Sequence, residues 1–235
     1  MKAKYKYLSN FPKIRSFPML GFYNYTVILT YLSLCSGVTG IWFCMTGHPV
    51  IASICLLFSG LCDAFDGRVA RMRKQSTEPE KRFGIQLDSL CDLVCFGVLP
   101  CFIGYAAGMK SPFYIPVFCL FTLAALIRLA YFNVTEEERQ QQTTEKRKNY
   151  LGLPVTSSSL IFPAFIMLIF IEKIKTCYMQ YIYLAVLLIT ATLFVVKSLK
   201  VKKPGFKGIL MMVGLGTVIA VVLIVFIIPK LLNRA

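Results

Sequence analysis

The stretch VIASICLLFSGLCDAFDGRVARMRKQSTEPEKRFGIQLDSLCDLVCFGVLP, residues 50–100, decides how the rest of the chain reads. It opens on an apolar run and meets Asp63 and Asp66. It then crosses a segment rich in Arg and Lys, and meets Asp88 and Asp92 before turning apolar again. Apolar runs of about 18 residues or more are long enough to cross a bilayer as helices. The polar segment therefore joins two spanning helices, and each carries a pair of acids beside the join. An Asp at the centre of a spanning helix costs about 2.5–3.5 kcal/mol, and less toward the interface. A chain that keeps four of them needs something to offset their charge.

The composition agrees with a membrane protein. Of 235 residues, 57% are hydrophobic and 16% charged, with a mean hydropathy of +0.66. An average soluble domain is about 25% charged. The net charge is nevertheless +15, from 26 Lys and Arg against 11 Asp and Glu. Disorder is excluded, because disordered chains are poor in apolar residues. No nucleic-acid partner is expected, because such domains display their positive charge on a polar surface. An oily, basic chain instead keeps its cations in loops beside a membrane.

Working outward gives seven spanning segments: 22–44, 50–67, 84–108, 112–133, 153–171, 177–196 and 209–229. The expected fold is an all-α integral membrane protein, a bundle of six core transmembrane helices plus a seventh C-terminal helix. Residues 1–21 mix Lys and Arg with Phe11, Ile14, Phe17 and Leu20, and read as an interfacial segment. Residues 22–196 form the membrane domain, and 197–235 a basic loop with the last helix. Most Lys and Arg fall within 2–15, 68–82, 139–148 and 197–207, all on one side of the membrane in this topology. By the positive-inside rule that side, with the N-terminus and both Asp pairs, is cytoplasmic. The nine Cys lie mostly in apolar runs without a CxxC pair, and read as small hydrophobes.

Asp63 and Asp66 are three apart and Asp88 and Asp92 four apart, so each pair shares a helix face. Helices two and three are expected to run antiparallel as neighbours, with both pairs meeting at their cytoplasmic ends. Four converging carboxylates repel, and hard divalent cations such as Mg²⁺ or Mn²⁺ suit their oxygens. The simpler alternative is ion pairing with loop Arg and Lys. Gly67, Ala70 and Gly84 keep their helix faces small enough for a ligand to approach. Arg68 and Arg71 suit phosphate oxygens. Together these groups describe a diphosphate site, where a carboxylate short of full metal ligation takes a proton from an attacking hydroxyl.

These residues resemble the signature of the CDP-alcohol phosphotransferases, DxxDGxxAR, a spacer, then GxxxDxxxD. The spacer, residues 72–83, is longer than the family's usual eight residues. The resemblance implies a six-helix enzyme, usually a homodimer, with two divalent cations, which displaces CMP from a CDP-linked donor with an alcohol. It implies Asp63, Asp66 and Asp88 as metal ligands, and Asp92 as a ligand of the second metal and the general base. It also implies Asp63, Gly67, Ala70, Arg71 and Gly84 as the face that binds the CDP moiety.

Asp88-Ser-Leu-Cys-Asp92-Leu-Val-Cys-Phe-Gly-Val-Leu-Pro100, Arg128-Leu-Ala-Tyr-Phe-Asn133 and Gly152-Leu-Pro154 are similar to the phosphatidylserine synthase branch of that family. Tyr131 and Thr156 depart from it, since Arg and Pro often stand there. The branch implies CDP-diacylglycerol and L-serine as substrates in a lipid membrane. Arg128 is then a candidate for the serine carboxylate, with helix-end snorkelling as its plainer role. Asn133 either meets the serine or caps its helix. Gly152 and Pro154 either shape the turn into helix five or contact the substrate directly, the first being the plainer role. Other readings are a phosphate-bearing acceptor (glycerol 3-phosphate or an inositol phosphate) and a divalent-cation transporter, whose acids line an ion path.

Overall fold

The computed structural model describes residue 21 and residues 27–72, 77–142, 149–171, 176–198, 200–202 and 206–227. Apart from Gly21, the interfacial segment 1–21 lies outside the described residues. Eight α-helices follow one another: α1 (Ile28–Met45), α2 (Pro49–Met72), α3 (Glu78–Asp92), α4 (Leu99–Ala106), α5 (Ile115–Gln142), α6 (Ser158–Ile171), α7 (Thr176–Val195) and α8 (Phe206–Val222). A π-helical turn, Leu93–Val98, joins α3 and α4 into one rod, so the described chain has seven rods. Six are long and apolar enough to cross a membrane, and a shorter apolar helix covers Val155–Ile169. The protein is a helical integral membrane bundle.

Several helices outrun the spans expected from hydropathy. α2 continues to Met72, α3 starts at Glu78, and α5 runs to Gln142. The reason is local. Thr77 caps α3 in a reciprocal box with Glu80: the Glu80 N–H donates to Thr77 Oγ1 and the Thr77 N–H to Glu80 Oε2, 3.1 Å away. The Lys81 ammonium sits 2.7 Å from Glu78, and Arg139 pairs with Glu136 at 2.6 Å. Hydropathy sees only the lipid-embedded part of a helix, whereas caps and i,i+3 pairs extend it into water. Gly84 consequently lies within α3 rather than at its start, and Asn133 within α5 rather than at its end.

Large aromatic side chains fill the centre of the bundle. Phe121 packs edge-on to Phe162, with centroids 5.4 Å apart, and Phe194 lies 5.6 Å from Phe121. The buried Tyr183 hydroxyl donates to the Pro100 carbonyl at 2.8 Å. Pro100 has no N–H to continue the ladder, and the π turn stands immediately before it. Outward-facing Leu, Ile and Val, such as Leu120, Ile189 and Leu210, are exposed, as helices surrounded by lipid require. Cys44, Cys62, Cys91, Cys95 and Cys101 are buried free thiols.

Two elements have no hydropathy signal. The short strands β1 (Asn149–Leu151) and β2 (Lys200–Lys202) pair antiparallel and tie the loop before α6 to the loop after α7. Just beyond β1, Gly152 adopts φ +77°, and a Cβ there would meet the Phe194 carbonyl oxygen at 2.9 Å. The Leu153 N–H donates to Leu193 O at 3.0 Å. Gly152 is therefore required by the turn, whereas a Cβ on Gly84 would meet nothing within 4 Å. Gly152→Ala should cost on the order of 1–3 kcal/mol and lower the thermal midpoint in detergent. Gly84→Ala should leave the midpoint unchanged or raise it.

Candidate active site

The buried face of α1 is Thr30, Ser33, Gly37, Gly40 and Cys44, small residues at spacings of three and four. Such a stripe lets backbones approach closely. Ser33 and Ser59 exchange hydrogen bonds across α1 and α2: Ser59 Oγ donates to Ser33 O at 3.0 Å and Ser33 Oγ to Ser59 O at 3.3 Å. On the other flank, Cys91 Sγ donates to Thr30 O and Cys95 Sγ to Ser33 O, both at 3.3 Å. A Cβ on Gly37 would stand 2.6 Å from Cys95 Sγ, so only Gly fits there.

α1 thus packs against both Asp-bearing helices. The expectation that helices two and three are packed neighbours holds, because α2 packs on the π turn and α4 of the third rod. α2 packs chiefly on α1 and α6, while α3 packs on α1 and the π turn. α2 and α3 meet across a cleft, through their carboxylates.

Both Asp pairs line that cleft. Asp63, Asp88 and Asp92 each offer a carboxylate oxygen, and these oxygens lie within 4.8 Å of one another. Asp66 is within hydrogen-bonding reach of Asp88, and the charges of Asp63, Asp66 and Asp88 all bear on Asp92. Asp66 and Asp92 are buried. Asp63, Asp88 and Asp92 have no Lys or Arg partner among the described residues. The ion pairs there use Glu78, Glu136 and Glu137 instead. This arrangement fits a metal ion. Oxygens on opposite sides of one Mg²⁺ lie about 4 Å apart, so a small rotation of carboxylates this close gathers them around one cation.

The other predicted residues divide. Gly84 lies in α3 with open space beside it. Gly67, Ala70 and Arg71 belong to the last turns of α2, and their side chains lie outside the described residues.

Asn133 does not cap its helix: its amide donates to Ser89 Oγ at 2.7 Å, linking α5 to the residue beside Asp88. Arg128 does not snorkel. It is buried, its Nε donates to Leu153 O at 3.2 Å, and its guanidinium lies 5.8 Å from the Phe132 centroid. Sequence reasoning missed the Ser33, Ser59, Cys91 and Cys95 contacts, although the spacing of small residues along α1 was a readable signal.

The fold and cleft define a membrane-embedded helical bundle with a carboxylate cluster able to hold a divalent cation. A model of the CDP-alcohol phosphatidyltransferase family matches residues 23–157, and the chain belongs to that family. Among its relatives is the CDP-diacylglycerol–serine O-phosphatidyltransferase of Saccharomyces cerevisiae, 37% identical over 139 residues. That match covers 54% of this chain and 49% of the relative. The Mycobacterium tuberculosis enzyme of the same name is 30% identical over 133 residues, 56% of this chain and 45% of the relative. The archaetidylserine synthase of Methanothermobacter thermautotrophicus is 30% identical over 165 residues, 70% of this chain and 66% of the relative. The chain spans about half the length of the first of these curated relatives.

Mn²⁺ titrated into the detergent-solubilised protein should lose its free-ion EPR signal on binding. Asp63→Asn or Asp92→Asn should weaken that uptake on the order of tenfold or more. Unchanged uptake in both variants would count against a metal role for the cluster.

Proposed function

We propose that this chain is a CDP-diacylglycerol–serine phosphatidyltransferase, making phosphatidylserine and CMP at the cytoplasmic face of a membrane. The observation that carries the reading is the convergence of Asp63, Asp66, Asp88 and Asp92 on one cleft. Three of the four have no cationic partner among the described residues. The serine acceptor is supported by the names of the relatives. The cytoplasmic orientation is supported by the Lys and Arg around the cleft's end of the bundle.

In this reading Asp63, Asp66, Asp88 and Asp92 hold two divalent cations, Mg²⁺ or Mn²⁺. When bound, these cations would offset the diphosphate charge and stabilise the CMP leaving group. The chain's own residues bind and orient. Gly84 leaves room for the cytidine diphosphate against α3, and Gly67, Ala70 and Arg71 share in binding it, as the family signature implies. Asp92 takes the proton from the serine hydroxyl. The serine oxygen forms a bond to the phosphorus that bears diacylglycerol, and the bond from that phosphorus to the CMP oxygen breaks. The electron pair leaves with CMP, and Asp92 returns its proton to water. Catalysis is then mostly positioning and electrostatics. A homodimer, which the resemblance to the family implies, is the expected assembly.

Labelled serine and CDP-diacylglycerol should give a labelled lipid that co-migrates with phosphatidylserine, together with equimolar CMP. Asp92→Asn should reduce CMP release by at least about a hundredfold, the range expected for loss of a general base, while the protein remains in the membrane. Gly84→Ala should reduce turnover although it does not destabilise the fold. Full activity in Asp92→Asn, or release driven by glycerol 3-phosphate and not by serine, would overturn the assignment.

Arg128 is the buried cation among the described residues. It stands one helical turn from Phe132 and Asn133 on the helix that touches Ser89. We place it as the counter-charge to the serine carboxylate. Arg128→Lys should then raise the KM for serine about tenfold or more, a loss typical of a charged hydrogen bond, and leave the KM for the CDP-lipid little changed. An equal rise in both would make Arg128 only a brace for Leu153.

A further inference from the structure

On the outside of the bundle, away from the cleft of α2 and α3, α5 and α7 flank a shallow, open groove of about 370 Å³. Buried Ala124 and Ala191 form its floor, and half-exposed Leu120, Leu123, Ile127 and Val195 form its walls. A small floor between branched walls accepts a chain of methylenes. Both helices are long and apolar enough to cross a membrane, so the medium beside the groove is acyl chain.

The groove is not apolar to its end. Where α7 stops, exposed Lys197 reaches across to α5 and sets its ammonium 5.3 Å from the centroid of the Tyr131 ring. Tyr131 stands one helical turn beyond Ile127, so this pair closes the groove at the same end of the bundle as the carboxylate cleft. Lys200, Lys202 and Lys203 follow in the sequence. The order along the groove is therefore methylene-lined trough, amphipathic ring, then cation. A phospholipid has that order in acyl chain, glycerol and phosphate. A zwitterionic headgroup brings its own cation toward Lys197, whereas an anionic one does not. A basic cluster just past a spanning helix favours anionic lipid for the same reason.

We propose that this groove binds an anionic phospholipid of the surrounding membrane, with one acyl chain between α5 and α7 and its phosphodiester on Lys197. The site is separate from the carboxylate cleft and holds whether or not the transferase reading does.

The test is native mass spectrometry of the full chain, equilibrated in micelles with equal phosphatidylglycerol and phosphatidylcholine. The wild-type protein should retain phosphatidylglycerol about fivefold over phosphatidylcholine, the factor one Lys near a membrane surface contributes. Lys197→Gln should bring the two to parity, and Lys197→Arg should keep the preference. Leu123→Trp changes an exposed wall residue, so the fold tolerates it, and should fill the trough and abolish retention of both lipids. Parity in the wild-type protein, or unchanged phosphatidylglycerol retention in Lys197→Gln and Leu123→Trp, would overturn the proposal. Conversion of a dimer to a monomer by Leu123→Trp would also overturn it, because a second copy would then be the occupant. Retention of added CDP-diacylglycerol in place of phosphatidylglycerol would do the same, by giving the groove to the donor lipid.

Discussion

The hydrogen bonds that clamp α1 between the two Asp-bearing helices set the geometry on which the rest depends. Ser33 and Ser59 exchange bonds on one flank, and Cys91 and Cys95 donate to α1 carbonyls on the other. In a lipid environment a hydroxyl or thiol gains little by leaving such a partner, because no water waits outside. Small residues along α1 bring the backbones close enough for these short side chains to reach. α1 thereby acts as a clamp. It holds α2 beside the rod of α3 and α4, with a cleft in which the carboxylates of α2 and α3 meet.

That cleft concentrates negative charge where charge is costly. The lattice around it makes the arrangement rigid enough to persist. Asn133 ties α5 to Ser89, and Arg128 ties α5 to the turn before α6 through Leu153 O. Gly152 lets that turn sit against the carbonyls that end α7. Arg128, Asn133 and Gly152 each belong to a motif that resembles the serine-using branch, and each also makes a structural contact. The role toward serine proposed for Arg128 is therefore an addition to a framework duty.

Helices around the cleft are longer than their lipid-embedded parts. Thr77, Glu78, Glu80 and Lys81 start α3 well before its apolar run, and Glu136 with Arg139 prolongs α5. The proposed diphosphate site then lies between helical walls instead of loops. Rigid elements hold catalytic groups more closely than loops do, which suits a reaction driven by positioning.

The sequence by itself determined the class of the protein. Runs of apolar residues define spanning helices, because an unpaired backbone group in lipid is prohibitively costly. The i,i+3 and i,i+4 spacing placed Asp63 with Asp66 and Asp88 with Asp92 on single faces, since helical periodicity is a local property. The DxxDGxxAR and GxxxDxxxD patterns identified the family for the same reason: their chemistry is written in short spacings. Only the tertiary structure decided that α1 bridges α2 and α3, that Asn133 holds Ser89, and that Arg128 is buried on a backbone carbonyl. It alone paired β1 with β2 and formed the groove beside Lys197. Each of these depends on residues far apart in the chain meeting at one place. Hydropathy and periodicity report how a segment relates to its solvent, and packing between helices decides which of their side chains meet.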